Sequence, residues 1–270
     1  MNISVYQVDA FANRVFEGNP AAICPLEQWL PEHTMQALAA ENNLSETAFF
    51  VPAEDGFELR WFTPATEVDL CGHATLAAAH VLFEELDFQG EEIRFSTKSG
   101  PLSVTRSSKS GKSGKSGELL SMDFPAQAPL PFELPMQIVQ AFHATPEDCL
   151  KFADIIAVFP SEDLVREADP DMELLAQLDC RGIIITAESK EYDFIARWFG
   201  PRTGIKEDPV TGSAFTQLVP YWAKRLGKTS FRAKQVSERG GELSCELAGE
   251  RVIISGKAVL FMRGVIEIEG

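Results

Sequence analysis

The chain has 270 residues, 45% of them hydrophobic, with 24 Lys and Arg against 40 Asp and Glu, a formal charge of -16. No apolar run approaches the roughly 18 residues that a membrane helix needs, and the apolar content excludes a disordered chain. The carboxylate excess repels phosphate backbones and anionic lipid, so nucleic acid and membrane surfaces are poor partners for the molecule as a whole, although a local anion site stays possible.

At roughly 100–200 residues per domain the length fits one large domain or two medium ones. Cys24, Cys71, Cys149, Cys180 and Cys245 are widely spaced, odd in number and without a C-x-x-C pair, which argues against a disulfide framework and for a reducing cytoplasm. The first residues alternate apolar and polar like a strand, with no charged region leading into an apolar core, so no export signal is expected.

In chain order, strands are expected over 3–8, 46–51, 57–62, 93–96, 102–105, 119–124, 155–158, 183–187 and 192–199, with several more between 243 and 268. Helical patterns are fewer. One follows Pro31 through Met35, Leu38 and Ala39. A second runs on from Gly72-His-Ala74 through His80. Thr145-Pro-Glu-Asp148 reads as a helix start, residues 170–178 as a short helix, and the stretch after Gly212 as an amphipathic helix that Pro220 must kink or end. The mixture reads as α+β. The Ser/Gly/Lys run from Ser107 to Gly117 reads as a flexible hairpin or inter-domain loop.

Arg60-Trp-Phe-Thr-Pro64 recurs as Arg197-Trp-Phe-Gly-Pro201, an offset of 137 residues, and each copy leads into a Gly-x-Ala helix start, at Gly72 and at Gly212. Two related halves follow. A boundary is placed at 117/118, with a first domain over 1–117 completed by a C-terminal strand at about 260–270, and a second over 118–259. Were the halves packed about a pseudo-two-fold axis, both helix N-termini could offer unpaired N–H groups to an anion.

Glu46 lies directly after the first helix, at the mouth of an apolar strand. A partly desolvated carboxylate there suits proton transfer at carbon, although a strand-end or capping acid is an equally simple reading. Asp69-Leu-Cys-Gly-His73 contains three ligand types, yet His73 and His80 would stand roughly 10 Å apart along a helix, and no metal motif occurs, so no metal is expected. His73 reads as a proton-handling or structural group. Cys71 reads as a low-pKa thiol at a helix start or a buried inert one. Asp208 is a turn residue or, by its place in the repeat, a site residue; Ser213 is a helix cap or a carboxylate donor. Serine-hydrolase, dinucleotide and P-loop signatures are absent.

Val8-Asp-Ala-Phe-Ala, Gly18-Asn-Pro-Ala-Ala22, Ser45-Glu-Thr47, Arg60-Trp-Phe-Thr-Pro64, Cys71-Gly-His-Ala-Thr75 and Glu207-Asp-Pro-Val-Thr-Gly-Ser213 together resemble the PhzF family, phenazine-biosynthesis-like proteins related to diaminopimelate epimerase. The resemblance implies two diaminopimelate-epimerase-like domains, each a barrel-like sheet around a central helix, with the site in a cleft between them. It also implies a homodimer and an isomerase without cofactor, moving a proton on a dihydro-hydroxyanthranilate-like carboxylate. Glu46 would be the acid/base, with Ser45, Gly72, His73, Asp208, Gly212 and Ser213 lining the site. The epimerase relatives use two cysteines. Only Cys71 has a counterpart here, so a two-thiol mechanism is disfavoured. An amino-acid racemase using Cys71 and a non-catalytic ligand-binding or interaction protein are the other readings.

Overall fold

The computed structural model describes residues 1–107 and 119–268. Apart from Ser107, the Ser/Gly/Lys run therefore lies outside the described residues. The first elements are β1 (Asn2–Ala10), β2 (Asn19–Pro25), α1 (Glu32–Asn42), β3 (Glu46–Ala53), β4 (Gly56–Phe62), β5 (Glu67–Val68), α2 (Gly72–Glu84), β6 (Glu92–Thr97), β7 (Gly100–Arg106) and β8 (Leu120–Pro125). There follow β9 (Leu130–Pro131), α3 (Met136–Phe142), β10 (Asp148–Lys151), β11 (Ile155–Val158), α4 (Glu162–Arg166), α5 (Met172–Ala176), β12 (Ile183–Glu188), β13 (Phe194–Gly200) and β14 (Ile205–Asp208). The chain closes with α6 (Gly212–Leu226), β15 (Ser230–Gln235), β16 (Gly241–Ala248), β17 (Arg251–Gly256) and β18 (Ala258–Glu267).

Two compact units result, Met1–Asp123 with Ser255–Gly270, and Phe124–Ile254. The first boundary falls after Asp123 rather than 117, because β8 is still paired to β7 through Val104↔Met122. The chain returns to the first unit at Ser255 rather than near 260, because β1 pairs with the whole of β18, from Ala10↔Ala258 to Asn2↔Glu267.

In the first unit β1 is antiparallel to β2, β2 parallel to β3, and β3 antiparallel to β4, which then carries β5 antiparallel and β6 parallel. The second unit repeats this order. There β10 is antiparallel to β11, β11 parallel to β12, and β12 antiparallel to β13, which carries β14 antiparallel and β15 parallel. The duplicated motif sits at the same place in each. Arg60 forks onto Glu67 at 2.7 and 2.8 Å and lies 5.2 Å from the Phe62 ring centroid; Arg197 forks onto Glu207 at 2.7 and 2.9 Å and lies 5.0 Å from that of Phe199. Each pair ties the long strand to the short one that leads into the helix.

That helix is the centre of each unit. Ten of the 13 residues of α2 are buried, more than one face can account for, and it packs on β1, β2, β3, β7 and β18. Its alanines let these strands approach closely. In α6, Trp222 is fully buried and stacks on Phe194, with ring centroids 5.4 Å apart. The architecture is α+β, a sheet built about one helix, made twice.

Of the two courses expected at Pro220, the helix does not end there: α6 continues to Leu226. Proline leaves the carbonyl of Thr216 without its helical donor, and the backbone N–H of Gln127 supplies one at 3.0 Å. Thr145 to Asp148 starts no helix: Glu147 N–H donates to the Val158 carbonyl and Asp148 opens β10 opposite Val158. The helix of that region is α3, ended by His143 in the left-handed conformation.

Candidate active site

Helix α1 ends with Asn43 in the left-handed conformation, φ 48°. The chain turns through half-buried Ser45 and enters β3 at Glu46, which stands in register with fully buried Ala21 on β2. On the other side, Gly72 opens α2 after Cys71, whose carbonyl accepts both the N–H of Thr75 at 3.2 Å and its hydroxyl at 2.6 Å. This pinned first turn aims His73 at Glu46.

His73 Nε2 lies 3.0 Å from Glu46 Oε2, with side chains only 6% and 13% exposed. The distance is that of an ion pair, yet both atoms lack a hydrogen bond of good geometry. The ring N–H therefore misses the oxygen in angle, and the contact is chiefly electrostatic. The other ring nitrogen, Nδ1, has two neighbours, Asn19 Nδ2 at 3.2 Å and Cys71 Sγ at 3.5 Å. Asn19 suits the neutral ring, whose Nδ1 accepts from its amide; the Cys71 sulfur suits the cation, whose Nδ1–H must donate.

Burial alone would lower the His73 pKa, but the Cys71 sulfur and the Glu46 carboxylate oppose it, and the balance lies well above the ordinary value. Burial, reinforced by the Glu46 charge, pushes the Cys71 thiol up to about 11. Cys71 is then a neutral thiol near pH 7, so the carboxylate is the partner that holds the proton on His73. Burial pushes His80 down to about 4, which keeps it neutral and apart from this chemistry.

Glu46, Cys71 and His73 each offer a ligand atom, all within 4.8 Å of one another. Sulfur, nitrogen and oxygen are donor types that zinc takes. The shortest approaches lie on opposite ring nitrogens, Cys71 Sγ to Nδ1 at 3.5 Å and Glu46 Oε2 to Nε2 at 3.0 Å, so the imidazole stands between the thiol and the carboxylate.

The remaining expected site residues belong to the second unit. Asp208 ends β14; its Oδ2 accepts from Thr211 Oγ1 at 2.5 Å and its backbone carbonyl from Gln235 Nε2 at 2.6 Å. Fully buried Gln235 also accepts from the N–H of Thr211 at 2.8 Å, fixing the entry to α6, which Gly212 and Ser213 open. Within the first unit the structure groups Glu46, His73 and Cys71; within the second it groups Asp208, Gly212 and Ser213 at the entry to α6. Sequence reasoning assigned no role to Asn19, although Gly18-Asn-Pro was among the motifs, and did not mark Arg181, which holds Ser213 at 3.0 Å.

Residues 8–264 match the profile of the family described as phenazine biosynthesis-like protein. The chain belongs to that family. A Pseudomonas aeruginosa protein named an uncharacterized isomerase is 50% identical over 99% of this chain and all of its own length. The crystal structure of a PhzF-family protein from Enterococcus faecalis matches with a TM-score of 0.94 at 44% identity, over 99% of this chain and all of that one. A predicted epimerase from P. aeruginosa shares the fold, with a TM-score of 0.75 at 21% identity over 99% of this chain and all of that one. The fold is therefore that of the PhzF and epimerase-like proteins, and the similarity to the protein named an isomerase supports an isomerase-type function. No helix among the described residues is long and apolar enough to cross a membrane.

Proposed function

We propose that the chain is a cofactor-independent isomerase that moves a proton between carbons of a small carboxylate-bearing substrate resembling a dihydro-hydroxyanthranilate. The observation that carries this reading is the approach of Glu46 to His73 at 3.0 Å, with neither atom engaged in a well-formed hydrogen bond elsewhere. Glu46, as carboxylate, takes a proton from one carbon; the C–H electron pair enters the conjugated system, and the carboxylic acid so formed returns the proton to another carbon. His73, cationic beside it, is the assisting group of the pair. Asp208 is proposed as an assisting acid/base, and Ser45, Gly72, Gly212 and Ser213 as substrate-binding residues, the helix-start N–H groups favouring negative charge.

A racemase acting through Cys71 ranks lower, because a thiol pushed up to about 11 supplies little thiolate near neutral pH. A homodimer is proposed as well, and sizing in solution tests it. The reaction is tested by incubating the protein in D2O with dihydro-hydroxyanthranilates and small amino and hydroxy acids. Enzyme-dependent C–H exchange in the first class supports the proposal; exchange confined to the α-carbon of amino acids replaces it with the racemase.

A further inference from the structure

Strand register makes the two units comparable position by position. Phe62 stands opposite Thr47 on β3, and Phe199, its counterpart in the repeated motif, stands opposite Ile183 on β12. Thr47 and Ile183 are then equivalent, so Gly182 is the counterpart of Glu46 and Arg181 that of Ser45. Gly72 and Gly212 each open the following helix, which makes Ser213 the counterpart of His73. Where the first unit sets His73 against Glu46, the second joins Ser213 to Arg181, whose Nη1 donates to Ser213 Oγ at 3.0 Å.

The second unit has no room for its own Glu46. A Cβ at Gly182 would lie 2.3 to 2.6 Å from three atoms of the Trp198 indole, so any side chain there must displace a buried ring. Charge appears one residue earlier instead. Arg181 Nε donates to Asp154 Oδ1 at 2.9 Å and Nη2 donates to Oδ2, while the guanidinium lies 5.7 Å from the Trp198 ring centroid. Asp154 is fully buried and is held from its other side by Gln217, whose Nε2 donates to Oδ2 at 2.7 Å. The Gln217 Oε1 in turn accepts from the N–H groups of Ala153 and Asp154, both at 3.2 Å. A planar fork so held keeps one orientation.

The direction of the Arg181 to Ser213 bond has a chemical consequence. A guanidinium only donates, so Ser213 Oγ accepts, and its own O–H points elsewhere. Among the described residues that hydroxyl meets no acceptor. Under the same guanidinium, the indole N–H of Trp198 is buried and also lacks a partner. The start of α6 therefore presents the Ser213 hydroxyl and the Trp198 N–H as donors, while the Asp154 oxygens are taken by Arg181 and Gln217 and Asp208 Oδ2 accepts from Thr211.

We propose that Arg181 is a positioning residue that makes Ser213 a polarised hydrogen-bond donor for the carboxylate of a small substrate. This rests on the substrate-binding role proposed for Ser213. The test is calorimetric binding of 3-hydroxyanthranilate and of 2-aminophenol, which lacks the carboxylate, to the wild-type protein, Ser213→Ala, Arg181→Lys and the double variant. The wild type should prefer the carboxylate by about tenfold, the scale of one charge-assisted hydrogen bond. Ser213→Ala keeps the Asp154–Arg181 pair and should fold. Arg181→Lys keeps the charge opposite Asp154 but not the fork, and should lose the preference to the same extent; the double variant should lose no more.

No preference in the wild-type protein, a wild-type preference in either single variant, or additive losses in the double variant would each overturn the proposal. Should Arg181→Lys fail to fold, Ser213→Ala alone still decides whether the hydroxyl reads the carboxylate. Glu46→Gln should keep the preference while losing C–H exchange, so failure here and failure of the proposed reaction read out separately.

Discussion

Glu46 Oε2 and His73 Nε2 face each other at 3.0 Å across the start of β3 and the first turn of α2, and both are nearly excluded from water. The carboxylate so placed helps to hold the proton on His73. The pair occurs once: at the equivalent place in the second unit stand Gly182 and Ser213.

The coupling makes fold stability depend on pH. The folded His73 pKa lies well above the ordinary value of 6.5. Protonation therefore stabilises the fold; the contribution is complete below 6.5 and is lost as pH rises through the folded pKa. The difference in urea midpoint between the wild-type protein and His73→Gln should be largest in the acidic range and shrink on the alkaline side. A difference constant from about pH 6 to 10 would contradict the assigned charge.

Cys71 tests the choice between acid/base groups. As a buried thiol pushed up to about 11 it holds its proton at neutral pH. Cys71→Ser should retain C–H exchange within about tenfold, the effect of altering one partner of His73 rather than the base itself. Loss of exchange as complete as that of Glu46→Gln would favour the racemase.

Gly182→Ala tests the packing that sets the units apart. The added methyl group meets Trp198 at 2.3 Å. Overpacking of this kind costs about 1–3 kcal/mol, to be read from urea unfolding, with the tryptophan emission shifting as Trp198 moves. An unchanged midpoint would show that the ring yields freely.

The repeated Arg-Trp-Phe-x-Pro motif exposed the duplication because its Arg, Trp and Phe each hold the same structural post in both units. Fully buried strands were legible from apolar runs such as Ile155–Val158. The strand Asn19–Pro25 was not, since its Pro-Ala-Ala core shows neither alternation nor β-branched residues, and its identity comes from lying between β1 and β3. The two-residue strands β5 and β9 carry no periodicity at all. The continuation of the helix past Pro220 was hidden, because the compensating N–H comes from Gln127, 89 residues before the Thr216 whose carbonyl it serves. Among site residues, Glu46 and His73 were legible as chemistry, whereas Asn19 and Arg181 act through partners 54 and 32 residues away, contacts no local pattern encodes.

The central claim is that Glu46 moves the proton. Wild-type protein and Glu46→Gln, matched for folding by circular dichroism, are incubated in D2O with a dihydro-hydroxyanthranilate, and deuterium incorporation at ring carbon is followed by NMR. The amide has no basic oxygen at neutral pH, so exchange should fall by about 10²–10⁴-fold. Exchange by the Gln variant at the wild-type rate would contradict the account.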